Sequence, residues 1–218
     1  MTVDENGMET TKFFADLTRE VTHELANVMS VIGELSGLLG DLAAANRTGR
    51  PIAPEKVESL AKRIDAQVER GASIVQHFNR FAHSLDDPGG EVDLAEVLSR
   101  FSVLSKRIVA RHRMTLAIDV PDRVTIRGDA YEFYRLLFAL LRRWTSDNAS
   151  LAVSLSSDET RAVLEWSGNR TPPVAAEATD VSALVERLSG SLTVTPDGKW
   201  GVTLSRQPVV PKEKEKAP

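Results

Sequence analysis

Residues 14–42 read FADLTREVTHELANVMSVIGELSGLLGDL, and the spacing of their apolar side chains decides how this part of the chain folds. The apolar residues recur at steps of three and four over about four heptads, which is typical of a helix that packs along a seam. This seam is predicted to contain Leu17, Val21, Leu25, Val28, Ile32, Leu35, Leu39 and Leu42.

A second helix of the same kind follows a short break. Gly49 and Pro51 interrupt the pattern, and Pro54 fits the first turn of the next helix. Gly71 stands at a seam position, where it would let the two helices approach closely. The second seam is predicted to contain Val57, Leu60, Ile64, Val68, Ile74, Phe78, Phe81 and Leu85. Because a hairpin of two amphipathic helices cannot bury both faces alone, we expect a homodimer that forms a four-helix bundle.

The turn-rich stretch DDPGG, residues 86–90, separates this long antiparallel hairpin from a segment with a different periodicity. There, Asp93 can cap a helix in DLAEVLSRFSVLSKRIVARH, and a strand, MTLAIDV, leads through Pro121 to VTIRGD. AYEFYRLLFALLRRW is predicted to form a buried helix, followed by strands LAVSLS and AVLEWSG and a helix near residues 180–188. A hairpin would turn at Asp197 and Gly198.

The fold class is therefore predicted to be α+β, with helices over one face of a mixed sheet in the second domain. We assign residues 12–87 to the helical hairpin, 91–208 to the α/β sandwich and 209–218 to a charged tail.

Composition narrows the classes of partner. The net charge of -4 gives no general attraction to nucleic acid or an anionic membrane. The chain has no cysteine, which excludes disulfides and thiolate metal sites. The N-terminus lacks the features of a signal peptide, and no stretch approaches the roughly 20 apolar residues of a membrane span. We expect a cytoplasmic protein that binds proteins or small molecules.

His23 is the residue that suggests chemistry. It lies two residues from both Val21 and Leu25, about 200° away around a helix, so it should point toward water. A neutral imidazole is a competent nucleophile toward a phosphoryl group. The neighbouring Glu24 can accept a proton or fix the tautomer, and Asn27, one turn later, can orient a water or a phosphoryl oxygen. Alone, His23 is equally an ordinary surface histidine.

The stretch HELAN resembles the phosphoacceptor box of the histidine kinase family, in which a histidine and an acidic residue are followed by two other residues and then by Asn, Thr or Pro. A hairpin followed by an α+β sandwich also resembles that family's dimerisation and phosphotransfer domain followed by its ATP-binding domain. The resemblance covers the chain from about Phe13 to Arg206. It implies that His23 carries phosphate.

The second domain departs from the family's ATP-binding pattern. Gly128 and Asp129 resemble the lead-in to the family's asparagine-bearing helix, but Ala139 and Arg143 stand where two asparagines are expected. The second of these asparagines normally helps hold magnesium. Because a hard cation requires oxygen ligands, alanine and arginine cannot supply this site.

The adenine-binding motif is also altered. Trp166 stands where the family has its aspartate, and Trp has no acceptor for the adenine amino group. Only Gly168 of the motif remains. Between Asn169 and Asp180 there are too few residues, and no glycine, for a lid over the phosphates. ERLSGSLTV, which retains Gly190, and GKWGVTLS still resemble the end of the family's domain.

Other candidate sites have simpler explanations. Arg142 and Arg143, beside Trp144, could suggest a nucleic-acid patch, but basic residues at a helix end usually stabilise its dipole. His77, His83 and His112 show no spacing typical of a metal site. The tryptophans Trp144, Trp166 and Trp200 are expected to fill the core or the former pocket.

The sequence thus predicts a histidine phosphotransferase that passes phosphate through His23 between the aspartates of response-regulator receivers, with a hybrid histidine kinase as a further candidate partner. It would have no cofactor of its own, with Mg²⁺ arriving on the receiver. The predicted docking surface runs below His23 along Ser30, Val31, Glu34 and Leu38. Three alternatives remain: a sensor kinase that binds ATP in an unusual way, a non-catalytic scaffold or pseudokinase regulator, and a receiver phosphatase that uses Glu24 and Asn27.

Overall fold

The apolar periodicity of the first 82 residues produces two long helices. A computed structural model describes residues 3–86, 89–120, 123–169 and 179–206. Helix α1 spans Val3–Arg47 and helix α2 spans Pro54–Ala82, so Pro54 begins α2 as predicted. The chain divides into two units, one up to Ala82 and one from His83 onward.

The predicted seam of α1 separates into two lines. In the first unit, one line packs on α2 and is buried: Phe13, Leu17, Val21, Val28 and Leu35. The other line, Leu25, Ile32 and Leu39, is only half-buried. A single neighbouring helix covers one line of a helix surface, so α2 leaves the second line only partly covered within the described residues of the first unit.

The seam of α2 was predicted too broadly. Leu60, Gly71, Ile74 and Phe81 are buried, but Val68 is 54% exposed. Val57 is exposed as well, on a part of α2 that α1 does not cover within the described residues of the first unit. Leu85 is not in the helix: α2 ends at Ala82, and His83–Leu85 form a 3-10 turn in which Leu85 is exposed.

Gly71 has the close-packing role predicted for it. A Cβ placed on this buried residue would lie 3.3 Å from Cγ1 of Val28, tighter than most side-chain contacts. Toward the start of α1, the hairpin is filled by four aromatic rings with centroid separations of 5.9 to 6.0 Å between neighbours. The rings belong to Phe13, Phe14, Phe78 and Phe81.

Helix α1 also contains a window between Gly7 and Arg47 that is long and apolar enough to cross a membrane. The sequence analysis predicted no such stretch. One helix of this kind is weak evidence for a span, because the core helix of a soluble protein and a signal sequence near the N-terminus pass the same test. Within the first unit, α1 packs against α2.

The second unit confirms the α+β prediction with a mixed sheet. Its five-stranded sheet has the order β2-β4-β5-β7-β6, in which β2 and β4 are parallel and the other neighbours antiparallel. The strands are β2 (Thr115–Asp119), β4 (Ser150–Ser157), β5 (Arg161–Gly168), β6 (Gly190–Val194) and β7 (Trp200–Ser205). Buried and exposed residues alternate along β4, β5 and β7, so one face of the sheet is covered.

The helices that accompany this sheet among the described residues are α3 (Leu94–Leu104), α4 (Lys106–Arg111), α5 (Ala130–Trp144) and α6 (Thr179–Arg187). As predicted, Asp93 caps α3 by accepting a hydrogen bond from the Ala95 amide at 3.0 Å. The single helix expected after Asp93 is divided at Ser105, whose hydroxyl donates back to the Ser102 carbonyl at 3.5 Å. Local hydroxyl bonds of this kind bend helices.

A short antiparallel pair completes the second unit. Strand β1 (Glu91–Asp93) pairs with β3 (Thr125–Arg127), with Glu91 opposite Arg127. The sequence analysis did not predict β1, because three residues are too few to show an alternating pattern. The predicted turn between β6 and β7 is present, and Gly198 adopts a φ of 83° there.

Candidate phosphotransfer site

His23 lies within α1, with its imidazole exposed to solvent. Val21 is buried and Leu25 half-buried, so the histidine points away from the packed side of the helix. This is the orientation that the helical spacing predicted. An imidazole in this position is accessible to the active site of another protein.

Glu24 faces the second helix. Its side chain is only 13% exposed, and its Oε1 forms an ion pair with Nη2 of Arg70 on α2. The contact ties the two helices together beside His23. The sequence analysis identified Glu24 but missed Arg70. The two residues are 46 positions apart in sequence, and their proximity depends on the register of α1 against α2. No local pattern in the sequence carries this information.

Asn27 is exposed and lies four residues after His23, so the two side chains share one face of α1. An amide there offers both a donor and an acceptor to a group bound at the imidazole. The structure therefore brings His23, Glu24 and Asn27 to one part of α1, with Glu24 turned toward α2.

The predicted docking surface, the flank of α1 that follows His23, is accessible to solvent. Ser30 and Glu34 are exposed, Val31 is half-buried, and Leu38 is 49% exposed. Met29, which the sequence analysis did not select, is 63% exposed next to this flank. Apolar side chains exposed near a reactive group are typical of a protein-binding surface.

In the second unit, Arg143 and Trp166, at which the resemblance expected ATP contacts, take part in the packing of the unit. Arg143, near the end of α5, forms an ion pair with Asp180 at the start of α6. At the other end of the two helices, Nη1 of Arg187 lies 3.4 Å from Oε1 of Glu132. These two ion pairs connect α5 and α6, so the guanidinium of Arg143 has a partner within the protein.

Trp166 is fully buried on β5, as predicted for a core residue. Its ring packs edge-to-face on Phe101 of α3, with centroids 6.1 Å apart, and Phe101 packs on Phe138 of α5 at 5.0 Å. Trp166 therefore joins β5 to the helical layer. Burial also raises the pKa of Tyr131, at the start of α5, to about 12, because the phenolate would lose its hydration.

Gly168, the remaining glycine of the adenine motif, is required by packing. A Cβ at this position would lie 2.7 Å from Cζ3 of Trp144 and 2.8 Å from the backbone oxygen of Ser150. Only glycine permits this close approach. The glycine is therefore explained by the core, without a nucleotide.

The prediction that no lid covers the phosphates concerns residues between Asn169 and Asp180, and residues 170–178 lie outside those that the structure describes. Within the described residues, no three His, Asp or Glu side chains are gathered in a way that could hold a metal ion.

An open groove of about 520 Å³ lies between α3 and β2, lined by Asp93, Glu96, Ser99, Ser102, Ile118 and Val120 among others.

No family model and no curated protein matches the chain. Among solved structures, it is similar to the histidine kinase AdeS of Acinetobacter baumannii, with a TM-score of 0.48 and 14% identity over 83% of this chain and 98% of that chain. It is also similar to the mycobacterial sensor histidine kinase MprB, with a TM-score of 0.42 and 17% identity over 54% of this chain and 98% of that chain.

A third similar structure is the histidine kinase ThkA in complex with the response regulator protein TrrA, with a TM-score of 0.47 and 14% identity. That match covers 92% of this chain and 64% of the other chain. At these TM-scores and identities, the likenesses establish neither a family nor an activity for this chain.

Proposed function

We propose that the chain is a dimeric histidine phosphotransferase, in which His23 carries phosphate between the aspartates of response-regulator receivers without ATP. The observation that carries this proposal is the exposed imidazole within HELAN on the outer side of a helical hairpin. The protein would act in two-component signal transduction in the cytoplasm, with a hybrid histidine kinase as one source of phosphate.

In the proposed reaction, an imidazole nitrogen of His23 attacks the phosphorus of a receiver phosphoaspartate. The N–P bond forms as the acyl P–O bond breaks, and the electron pair leaves with the aspartate carboxylate. The other imidazole nitrogen keeps its proton, and loses it to solvent afterward. Mg²⁺ bound to the receiver would neutralise the phosphoryl oxygens, so this chain needs no metal ligands. Transfer to a second receiver reverses these steps.

Glu24 and Asn27 would support this nucleophile. The carboxylate of Glu24, the residue next to His23, is anchored on α2 by Arg70, which fixes its position. Asn27 is exposed on the same face as His23 and could hydrogen-bond a phosphoryl oxygen or an attacking water. If Asn27 oriented water, the same site would act as a receiver phosphatase.

The uncovered apolar line supports the proposed homodimer. Leu25, Ile32 and Leu39 repeat every seven residues on α1 and are half-buried in one chain. On α2, Val68 and Val75 are 54% and 44% exposed. A second hairpin would remove these side chains from water and complete a four-helix bundle.

The proposed absence of ATP chemistry is supported by the second unit. Arg143 is paired with Asp180, and Trp166 is buried in the core. Converting this unit to a nucleotide site would require breaking the ion pair and opening the packing around Phe101 and Phe138. The receiver would instead dock along Ser30, Val31, Glu34 and Leu38.

The test measures acid-labile phosphate on the purified chain after incubation with a radiolabelled phospho-receiver. We expect label on the wild-type chain, its complete loss in His23→Ala, and unchanged labelling in His83→Ala. His83 is a suitable control because it is also exposed but lies at the 3-10 turn. Equal labelling of wild type and His23→Ala would contradict the proposal.

A non-catalytic scaffold is the second candidate, favoured by the same filled core around Trp166. In that case the chain would bind a kinase or receiver, and His23 would be incidental. The two functions differ in one result, because a scaffold would bind a receiver and inhibit its phosphorylation equally well after His23→Ala.

A further inference from the structure

Arg70 lies beside the proposed phosphotransfer site, on the helix that does not carry the histidine. Its Nη2 forms an ion pair with Glu24, the residue that follows His23. The Glu24 side chain is 13% exposed, whereas the Arg70 side chain is 50% exposed. The guanidinium is thus anchored at one end by a largely buried carboxylate, while half of its surface faces solvent.

The packing of the hairpin places Arg70 close to α1. Gly71, the next residue, lies against Val28, and the missing Cβ allows α2 to approach α1 at this level. A guanidinium has five N–H donors in a rigid plane. Within the described residues, the ion pair with Glu24 uses one Nη, so further donors remain available to an anion.

A phosphoryl group in transfer spreads negative charge over three oxygens, and cationic side chains stabilise that charge. Arg19 is the other arginine near His23, one turn earlier on α1. Its Nη1 is 3.1 Å from Asp16, three residues farther from His23, and its side chain is 65% exposed. Arg70 differs from Arg19 in that its carboxylate partner, Glu24, is the residue next to the histidine and belongs to the proposed site.

We propose that Arg70 binds the phosphoryl group as it transfers to His23, with Glu24 holding the guanidinium in place. This inference rests on the proposed function, since it assigns a further residue to the same site. The ligand recognised is the phosphoryl dianion, whatever molecule delivers it. Arg70 takes part in no bond change, and Glu24 acts on the reaction through Arg70 as a positioning residue.

The test uses phosphoramidate, a small phosphoryl donor that requires no receiver. His23 attacks phosphorus, the N–P bond forms, and the donor's own P–N bond breaks as ammonia leaves. The rate of phosphohistidine formation would be followed by ³¹P NMR on the full chain and on Arg70→Gln, Arg70→Lys, Glu24→Gln and Arg63→Gln. Arg63 is an exposed arginine seven residues earlier on α2, so it lies on the same face about two turns away.

We expect Arg70→Gln to slow phosphorylation about tenfold or more, Arg70→Lys to recover part of the rate, and Arg63→Gln to change it less than about twofold. Glu24→Gln should have an intermediate effect, because it releases the guanidinium without removing it. Thermal unfolding of each variant identifies any loss of folding. If Arg70→Gln and Glu24→Gln slowed the reaction equally and Lys restored nothing, Arg70 would have only a structural role and the inference would be overturned.

The failure of the proposed function gives a different result. If phosphoramidate labels His23 in an Arg70-dependent way but no phospho-receiver does, the inference stands and the relay between receivers is wrong. If Arg70→Gln behaves like Arg63→Gln while receivers label His23, the inference alone is wrong. If His23 accepts phosphate from neither donor, both are wrong.

Discussion

At His23 the chain exposes an imidazole on the outer side of α1, whereas at Trp166 it buries the side chain that stands at the family's adenine-binding position. The first region keeps polar groups accessible, with Asn27 on the same face and Arg70 half exposed. The second region uses its side chains for packing, with Trp166 on Phe101 and Trp144 on Gly168.

The comparison separates two properties that active kinases combine. A phosphoryl carrier requires only an accessible nucleophile and a docking surface, while a nucleotide site requires a cavity and oxygen ligands for a metal. The hairpin exposes the imidazole of His23 and the residues of the proposed docking surface. In the second unit, the corresponding positions stabilise the fold, so substitutions in the two regions should affect different measurements.

The largest expected effect on stability comes from Trp166→Asp, which restores the family's residue in a buried position. We expect a loss of about 4 kcal/mol in the free energy of unfolding, from lost packing and a buried carboxyl group. Urea denaturation would measure it, and isothermal calorimetry should detect no ATP binding. A stable variant that binds ATP would show that the site was merely blocked by one side chain.

A second substitution addresses the uncovered line on the hairpin. Ile32→Lys places a charge between Leu25 and Leu39, where the second copy is proposed to pack. We expect dimer affinity to fall about 100-fold or more, or about 2.7 kcal/mol, as measured by light scattering across a concentration series. Glu34→Lys, on the proposed docking flank, is the control and should leave the dimer intact. Monomeric wild-type protein would contradict the dimer.

Gly168→Ala tests whether packing alone explains the retained glycine. The added Cβ would meet the Trp144 ring at 2.7 Å and the Ser150 oxygen at 2.8 Å. We expect a loss of about 1–3 kcal/mol in the free energy of unfolding, measured by denaturant titration. Gly128→Ala is a milder control, because its nearest contact would be 3.6 Å away. Equal effects would show that the close contact at Gly168 is not the cause.

The smallest expected effect concerns the ion pair between α5 and α6. Arg143→Asn with Ala139→Asn restores both family asparagines, and we expect a stability change within about 1 kcal/mol because the Arg143–Asp180 pair is partly exposed. Nucleotide binding should stay undetectable by calorimetry while Trp166 fills the core. Recovery of Mg²⁺-dependent ATP binding by this double substitution would contradict the account of the second unit.

The sequence was sufficient to predict elements whose signal is local. The heptad spacing on α1, Pro54 at the start of α2, Asp93 as a cap and the turn at Gly198 depend on neighbouring residues, and all are present. The exposure of His23 follows from the same spacing. Burial of Trp166 was also predicted, because a large apolar side chain stands where the resemblance expected the adenine-binding aspartate.

Features that depend on pairing between distant segments were not predictable. The ion pair of Arg70 with Glu24 requires the register of α1 against α2, and the pair of Arg143 with Asp180 joins two helices separated by two strands. The apolar seam of α1 divides into a line buried against α2 and a line that is only half-buried. This division depends on how many helices pack around α1, which the spacing of apolar residues does not specify. Val68 was therefore placed in the seam although it is exposed in one chain.

The most direct test of the central claim compares two phosphate donors on the same protein. The chain would be incubated with radiolabelled ATP and Mg²⁺, with a labelled phospho-receiver, and with that receiver plus a second, unlabelled receiver. The account predicts no label from ATP, acid-labile label from the receiver, and passage of that label to the second receiver, all of the transfer being lost in His23→Ala. Label on His23 from ATP alone would contradict it.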